Sequence, residues 1–135
     1  MTYLPEVTDH FLRPRNVGPL PAGPGQVLAG RAGSPAEGCE VEFRARVHAG
    51  RIAALHFAAR ACPHVVAACS VLTELLAGAG PETTRAFDVL VLEGRLGLPA
   101  AKRGRLLLVA DALRNCLAPW DTTPLPAADP AVPHS

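Results

Sequence analysis

Between residues 41 and 48 the chain alternates strictly, with Val41, Phe43, Ala45 and Val47 on one face and Glu42, Arg44, Arg46 and His48 on the other. A period of two belongs to a strand with one face on a core and the other in water. Ala49-Gly50 can turn the chain back into a partner strand, Arg51 to Ala59, giving a hairpin. Upstream, Gln26 to Arg31 reads as a short strand, separated from the hairpin by the loop Gly33-Ser34-Pro35-Ala36-Glu37-Gly38. Three antiparallel strands are the expected sheet.

The period becomes helical at Pro63. Val65, Cys69, Leu72 and Leu76 fall on one stripe, with Ala68 and Leu75 beside it, until Gly78-Ala79-Gly80 ends the pattern. A second helix is expected from Pro81, with Phe87, Leu90, Val91 and Gly94 on a common face. A third is expected from about Pro99 to Leu117, with Leu106, Val109, Leu113 and Cys116 along one stripe. Near the start, Thr8 or Asp9 can cap a short helix carrying Phe11 and Leu12, stopped by Pro14 and followed by an irregular stretch through Gly25. A sheet with helices packed on it is an α+β fold. It is expected over residues 1–118, and 119–135, with proline at 119, 124, 126, 130 and 133, reads as a disordered tail.

The length of 135 residues suits one domain with one core. A net charge of +1 gives no field to recruit nucleic acid or an acidic membrane surface. The chain has neither a basic region followed by an apolar run at its start nor an apolar run approaching about 18 residues. A soluble, cytoplasmic protein is expected. The four cysteines, at 39, 62, 69 and 116, are far apart and form no C-x-x-C pair, which argues against a disulfide framework.

Cys62 stands where the apolar strand pattern ends and the helix with Pro63 in its first turn begins. That places it at or next to the N-cap, where backbone N–H groups and the helix dipole favour a thiolate able to bind metal or attack sulfur. A small buried residue at a tight turn is the alternative. Cys69, about two helical turns or roughly 10 Å further on, shares the apolar stripe and reads as core, as does Cys116. Cys39 follows a loop rather than lying on an apolar stripe, and is free to be exposed. The hairpin puts Cys39 and Cys62 where strands meet loops, so a shared site is geometrically open. Lys102, Arg103 and Arg105 crowd the start of the last helix, against its dipole, and invite an anion: Glu37, the Cys62 thiolate or an acidic surface elsewhere. His64 reads as an exposed polar residue ahead of a ligand, and the sequence identifies no partner for His10, His48 or His56. No paired acid and nucleophile points to an enzyme.

Three ordered segments resemble the IscU/NifU-type iron–sulfur cluster scaffold family. The opening Tyr3 to Gly18, with Val7-Thr8-Asp9-His10-Phe11 and Pro14-Arg15-Asn16-Val17-Gly18, is similar to Y-x-x-x-V-x-D-H-[YF]-x-x-P-R-N-V-G. Gly33 to Cys39 is similar to G-A-P-A-C-G-D, and Phe57 to Glu74 to F-x-x-x-G-C-x-x-x-x-A-S-S-S-x-x-T-E. Leu98-Pro99-Ala100-Ala101-Lys102 resembles L-P-P-V-K. The resemblance implies an α+β fold with a three-stranded antiparallel sheet. It also implies assembly of a cluster on three cysteines helped by an aspartate or histidine, with sulfur from a cysteine desulfurase. A chaperone of the Hsp70 type that reads the L-P-P-V-K stretch, and apo-acceptor proteins, are implied partners. Zinc can occupy the same site in the family.

Carried over, Cys62 matches the second family cysteine. Glu37 falls at the first cysteine and Cys39 at the aspartate, while Gly104 and Arg105 stand at the histidine and the third cysteine. The implied ligands are Cys39, Cys62 and Glu37, with Lys102 and Arg105 lining the site, and Arg105 favouring anions over a cation. A [2Fe–2S] cluster or structural zinc takes four ligands. One chain therefore offers an oxygen-containing set, or a homodimer pools two Cys39–Cys62 pairs. The expectation is a scaffold binding iron or a [2Fe–2S] cluster transiently. Its competitors are a non-catalytic adaptor docking on a desulfurase or chaperone, and a sulfur carrier in which Lys102, Arg103 and Arg105 activate Cys62 for persulfide transfer.

Overall fold

The computed structural model describes residues 4–122. Its elements run α1 (Pro5–Leu12), β1 (Gln26–Ser34), a 3-10 turn (Pro35–Glu37), β2 (Cys39–His48), β3 (Arg51–Arg60), α2 (Pro63–Leu76), α3 (Pro81–Ala86), α4 (Val91–Arg95), a second 3-10 turn (Ala100–Lys102) and α5 (Arg103–Thr122). The three strands form one antiparallel sheet in the order β1-β2-β3. The α+β expectation holds.

The alternation in β2 does what the sequence requires. Val41, Phe43, Ala45 and Val47 are buried, while Glu42, Arg44, Arg46 and His48 form the outer face. Phe43 lies opposite Phe57 of β3, their ring centroids 6.5 Å apart, and both are in the core. Ala49 and Gly50 both have positive φ, the turn geometry whose twist matches a right-handed hairpin. A register irregularity at Arg46 and Val47 lets β3 keep Ile52, Leu55 and Phe57 inward.

The helices pack on the inner face. Val65, Cys69, Leu72 and Leu76 of α2 are buried, as are Leu106, Val109, Leu113 and Cys116 of α5. Burying side chains of this kind contributes about 1.5–3 kcal/mol each before the cost of ordering them. Gly30 of β1 is pressed against the α5 backbone, where a Cβ would collide with the Cys116 nitrogen. Only glycine permits that approach.

Several expectations are corrected. α1 begins at Pro5, with Leu4 as N-cap, so neither Thr8 nor Asp9 caps it; Asp9 instead accepts from Arg13 and Arg15. Proline preset for the first helical position starts the helix early, and Val7 and His10 face the core while Phe11 and Leu12 are exposed. β1 extends to Ser34, since antiparallel pairing with β2 continues as far as Ser34 opposite Cys39. The expected helix from Pro81 is two short ones. Phe87 is extended, and the Asp88 carboxylate accepts from the Leu90 N–H to begin the next turn. Val91 and Gly94 are consequently exposed, and Val89, Leu92 and Leu96 take the core positions. Leu75 also faces solvent. α5 starts after a 3-10 turn and runs past Leu117 and Pro119 to Thr122, while the rest of the expected tail lies outside the described residues. Among the described residues, no helix is long and apolar enough to cross a membrane.

Candidate functional site

The 3-10 turn after β1 is built by local hydrogen bonds. The Ser34 hydroxyl accepts from the Glu37 N–H at 3.3 Å, and the Gly38 N–H donates to the Pro35 carbonyl at 3.0 Å. Gly38 then takes a left-handed conformation, φ 73°, which aims the chain into β2 at Cys39. Glu37 is exposed on this turn. Cys39 is not: it is 1% accessible, on the inward face that continues through Val41 and Phe43. The sequence left Cys39 open to exposure; it is buried because the residue falls in phase with the apolar alternation of β2.

Cys62 is the N-cap of α2, as expected, with Pro63 next in the first turn, and its side chain makes no capping hydrogen bond. It is half-buried against the edge of the core. Glu40 pairs with Arg60 across β2 and β3, so Cys39 and Cys62 leave the same end of the sheet. The fold thus brings both expected thiols to one end.

Arg105, in the first turn of α5, reaches the same end. Its Nη1 donates to the Gly38 carbonyl at 3.1 Å, tying α5 to the residue immediately before Cys39. Arg103 turns away and pairs with Glu93 at 2.9 Å. Lys102 ends the 3-10 turn ahead of α5 and lies close enough to His64 to act on it electrostatically. The cations crowded at the start of α5 are thus divided between a carboxylate, a backbone carbonyl and the neighbourhood of His64, and Glu37 forms no ion pair with Arg105.

His64, in the first turn of α2, is buried, not exposed. Burial first, and the Lys102 charge second, hold its pKa below the usual histidine value. Burial pushes the Cys69 thiol far up, and the Cys39 thiol is near enough to add to the shift. Cys116 is pushed up to about 12 by burial. Both are inert core thiols, as their stripe positions implied. All four cysteines are free thiols.

Among the described residues, no group of three His, Cys, Asp or Glu side chains is placed to hold a metal ion. Glu37 outside, Cys39 inside and Cys62 at the helix cap occupy one end of the molecule without converging. A cavity of about 420 Å³ opens elsewhere, between the α3–α4 connection and α5, lined by Phe87, Val89, Leu113 and Leu117 among others and touching no cysteine.

A second polar cluster escaped the sequence reading. His10 Nδ1 lies 2.7 Å from the Ser70 hydroxyl, whose oxygen accepts from the Arg15 backbone N–H at 2.9 Å. Asn16 Nδ2 donates to the Thr73 hydroxyl at 3.0 Å, and the Phe57 N–H donates to the Asn16 carbonyl at 2.9 Å. The Pro14-Arg15-Asn16-Val17-Gly18 segment therefore fastens α1 to α2 and to the edge of β3. The available signal was His10 three residues after Val7, on the helix face that proves buried.

The family model for the NifU-like N terminal domain matches residues 2–125. The iron–sulfur cluster assembly scaffold protein IscU of Haemophilus influenzae is 31% identical over 121 residues, covering 89% of this chain and 96% of that protein. IscU of Escherichia coli K12 is 29% identical over 121 residues, covering 89% and 94%. The mitochondrial iron sulfur cluster assembly protein 2 of Saccharomyces cerevisiae is 29% identical over 122 residues, covering 89% and 78%. Among solved structures, a nitrogen-fixing NifU-like protein (N-terminal) from Brucella abortus superposes with a TM-score of 0.67 at 18% identity, over 90% of this chain and 95% of that one. By this match, and by the sheet and helices that carry it, the chain belongs to the NifU-like N-terminal domain family.

Proposed function

We propose that this protein is a scaffold on which iron or a [2Fe–2S] cluster is held transiently as cargo, with Cys39 and Cys62 as the thiolate ligands. The observation that carries this reading is the strand register that delivers both cysteines to one end of the sheet, with Cys62 at the N-cap of α2. Glu37 supplies an oxygen ligand from the exposed turn beside them, and Lys102 and Arg105 line the approach. Two thiolates and one carboxylate fall short of the four ligands a cluster takes, so either the site in one chain is labile or two chains share one cargo. A labile site suits a protein that must give its cargo up. Sulfur is supplied by a cysteine desulfurase, the product passes to apo-acceptor proteins with help from a chaperone of the Hsp70 type, and the chain works in the cytoplasm without turning over a substrate of its own. Its membership in a family whose named relatives are cluster assembly scaffolds supports this.

The test is iron, zinc and acid-labile sulfide content, with the visible spectrum, after anaerobic incubation with ferrous iron and sulfide. Cys62→Ala and Cys39→Ala are run in parallel. Bound iron and sulfide with a charge-transfer band lost in both variants is the expected result; colourless protein without iron would sink the scaffold reading. Zinc in place of iron would identify a zinc site. The adaptor reading is favoured by the lack of a converged three-donor group among the described residues. It predicts that a complex with a desulfurase survives loss of both thiols.

A further inference from the structure

The scaffold reading needs Cys39 at the surface, and the structure holds it inside. Cys39 is 1% accessible, faces the core with Val41 and lies near Cys69. The turn leading into it is fastened by two kinds of hydrogen bond. Those from Glu37 to Ser34 and from Gly38 to Pro35 are internal to the turn and travel with it. The bond from Arg105 Nη1 to the Gly38 carbonyl reaches the turn from α5. Ser34 pairs with Cys39 at the last position of the β1–β2 ladder, where a strand pair frays most easily.

We infer that Arg105 is a positioning residue for the assembly site: its bond to the Gly38 carbonyl latches the Glu37–Cys39 turn shut and keeps the Cys39 thiol in the core until the latch is released. This deepens the scaffold reading and rests on it for its purpose, though the latch itself is a property of the unloaded chain. The chemistry of release follows from the donor. A guanidinium is drawn to an anion by a full opposite charge, which the dipole of a neutral carbonyl does not supply. Thiolate-ligated cargo approaching Cys62 is anionic and competes with the Gly38 carbonyl for Arg105. Once the carbonyl is let go, Gly38, which has open space around its Cα, can rotate and bring Cys39 outward. The residue at the place of the third family cysteine then acts on the cargo by charge and on Cys39 through the backbone.

The test is site-resolved alkylation of the free chain, without iron or sulfide, comparing the native sequence with Arg105→Ala by mass spectrometry of each cysteine peptide. One hydrogen bond of ordinary strength corresponds to about a fivefold change in the open population. Cys39 is expected to alkylate about five times faster in the variant, with Cys69 and Cys116 as slow as before. An unchanged Cys39 rate overturns the latch, and so does a rise at all three buried cysteines together, which would report general loosening. Because the measurement uses no cargo, it separates the two ideas. Faster Cys39 labelling in a chain that never takes up iron or sulfide keeps the latch and removes the scaffold, whereas cluster uptake with unchanged labelling does the reverse.

Discussion

Ala49 has φ 53°, a left-handed conformation that costs an L-residue about 1–2 kcal/mol, and its side chain is exposed in a tight hairpin turn before Gly50. Asparagine tolerates this region and is the favoured partner of glycine in such turns. Ala49→Asn is expected to stabilise the protein by about 0.5–1 kcal/mol, read as a higher urea midpoint at unchanged slope. Gly30 is the opposite case. Its neighbours are backbone atoms of Asn115 and Cys116, which cannot rotate away, so Gly30→Ala is expected to cost at least about 2 kcal/mol and lower the same midpoint. The turn itself was legible from the sequence; the φ of Ala49 and the neighbour of Gly30 were not. A glycine in a strand pattern signals a close approach without naming what approaches, and an alanine in a turn gives no sign of its φ.

At the scale of elements, the joint between α1 and α2 is the one that pH acts upon. His10 is buried against Ser70, and burial, with Arg15 second, lowers its pKa from 6.5 against the opposing pull of Glu74, Glu6 and Asp9. His64 is lowered in the same direction by burial and Lys102. Between the lowered folded values and the unfolded value near 6.5, the unfolded chain holds protons that the folded chain does not. Stability is therefore expected to be full above that value and to fall as pH drops through it. Urea unfolding at about pH 7.5 and 5.5 measures the loss, and His10→Asn should make it smaller. Acid loss of the Arg95-bonded Glu6 carboxylate comes only at lower pH, since its pKa is held below 4.5. The strands and the long helices were legible because their periods are unbroken for two or more turns or for a full alternation. The segment from Pro81 to Arg95 is not the one helix expected, because Phe87 and Leu90 fit a helical face and only the Asp88 carboxylate, accepting from the Leu90 N–H, marks where that helix breaks.

For the molecule as a whole, the end of the sheet that carries Cys39 and Cys62 provides too few thiols for one cluster per chain. If two chains pool them, loaded protein is expected to elute as a dimer with one cluster per two chains, and to return to its unloaded size when a chelator strips the cargo. Size-exclusion chromatography with iron analysis across the peak checks this. That Cys39 and Cys62 leave the same end of the sheet was legible because hairpin register follows from alternation. The inward turn of Cys39 was legible in principle from the same alternation, extended one step back past Val41, but the loop before it left its side open. Arg105 was placed at the site by resemblance, and its actual partner, a backbone carbonyl, leaves no trace in side-chain patterns.

The contact between β1 and α5 has one more consequence. β1 is an outermost strand of the sheet, and an open strand edge is a template for pairing with other chains. Here α5 lies so close that Gly30 has no room for a side chain, and Asn115 Nδ2 donates to the Arg31 carbonyl at 3.0 Å. The long helix thus lies on the inner face of β1 while one of its side chains occupies a carbonyl of the strand's open edge, so loosening α5 would free part of that edge for self-association as well as lowering stability.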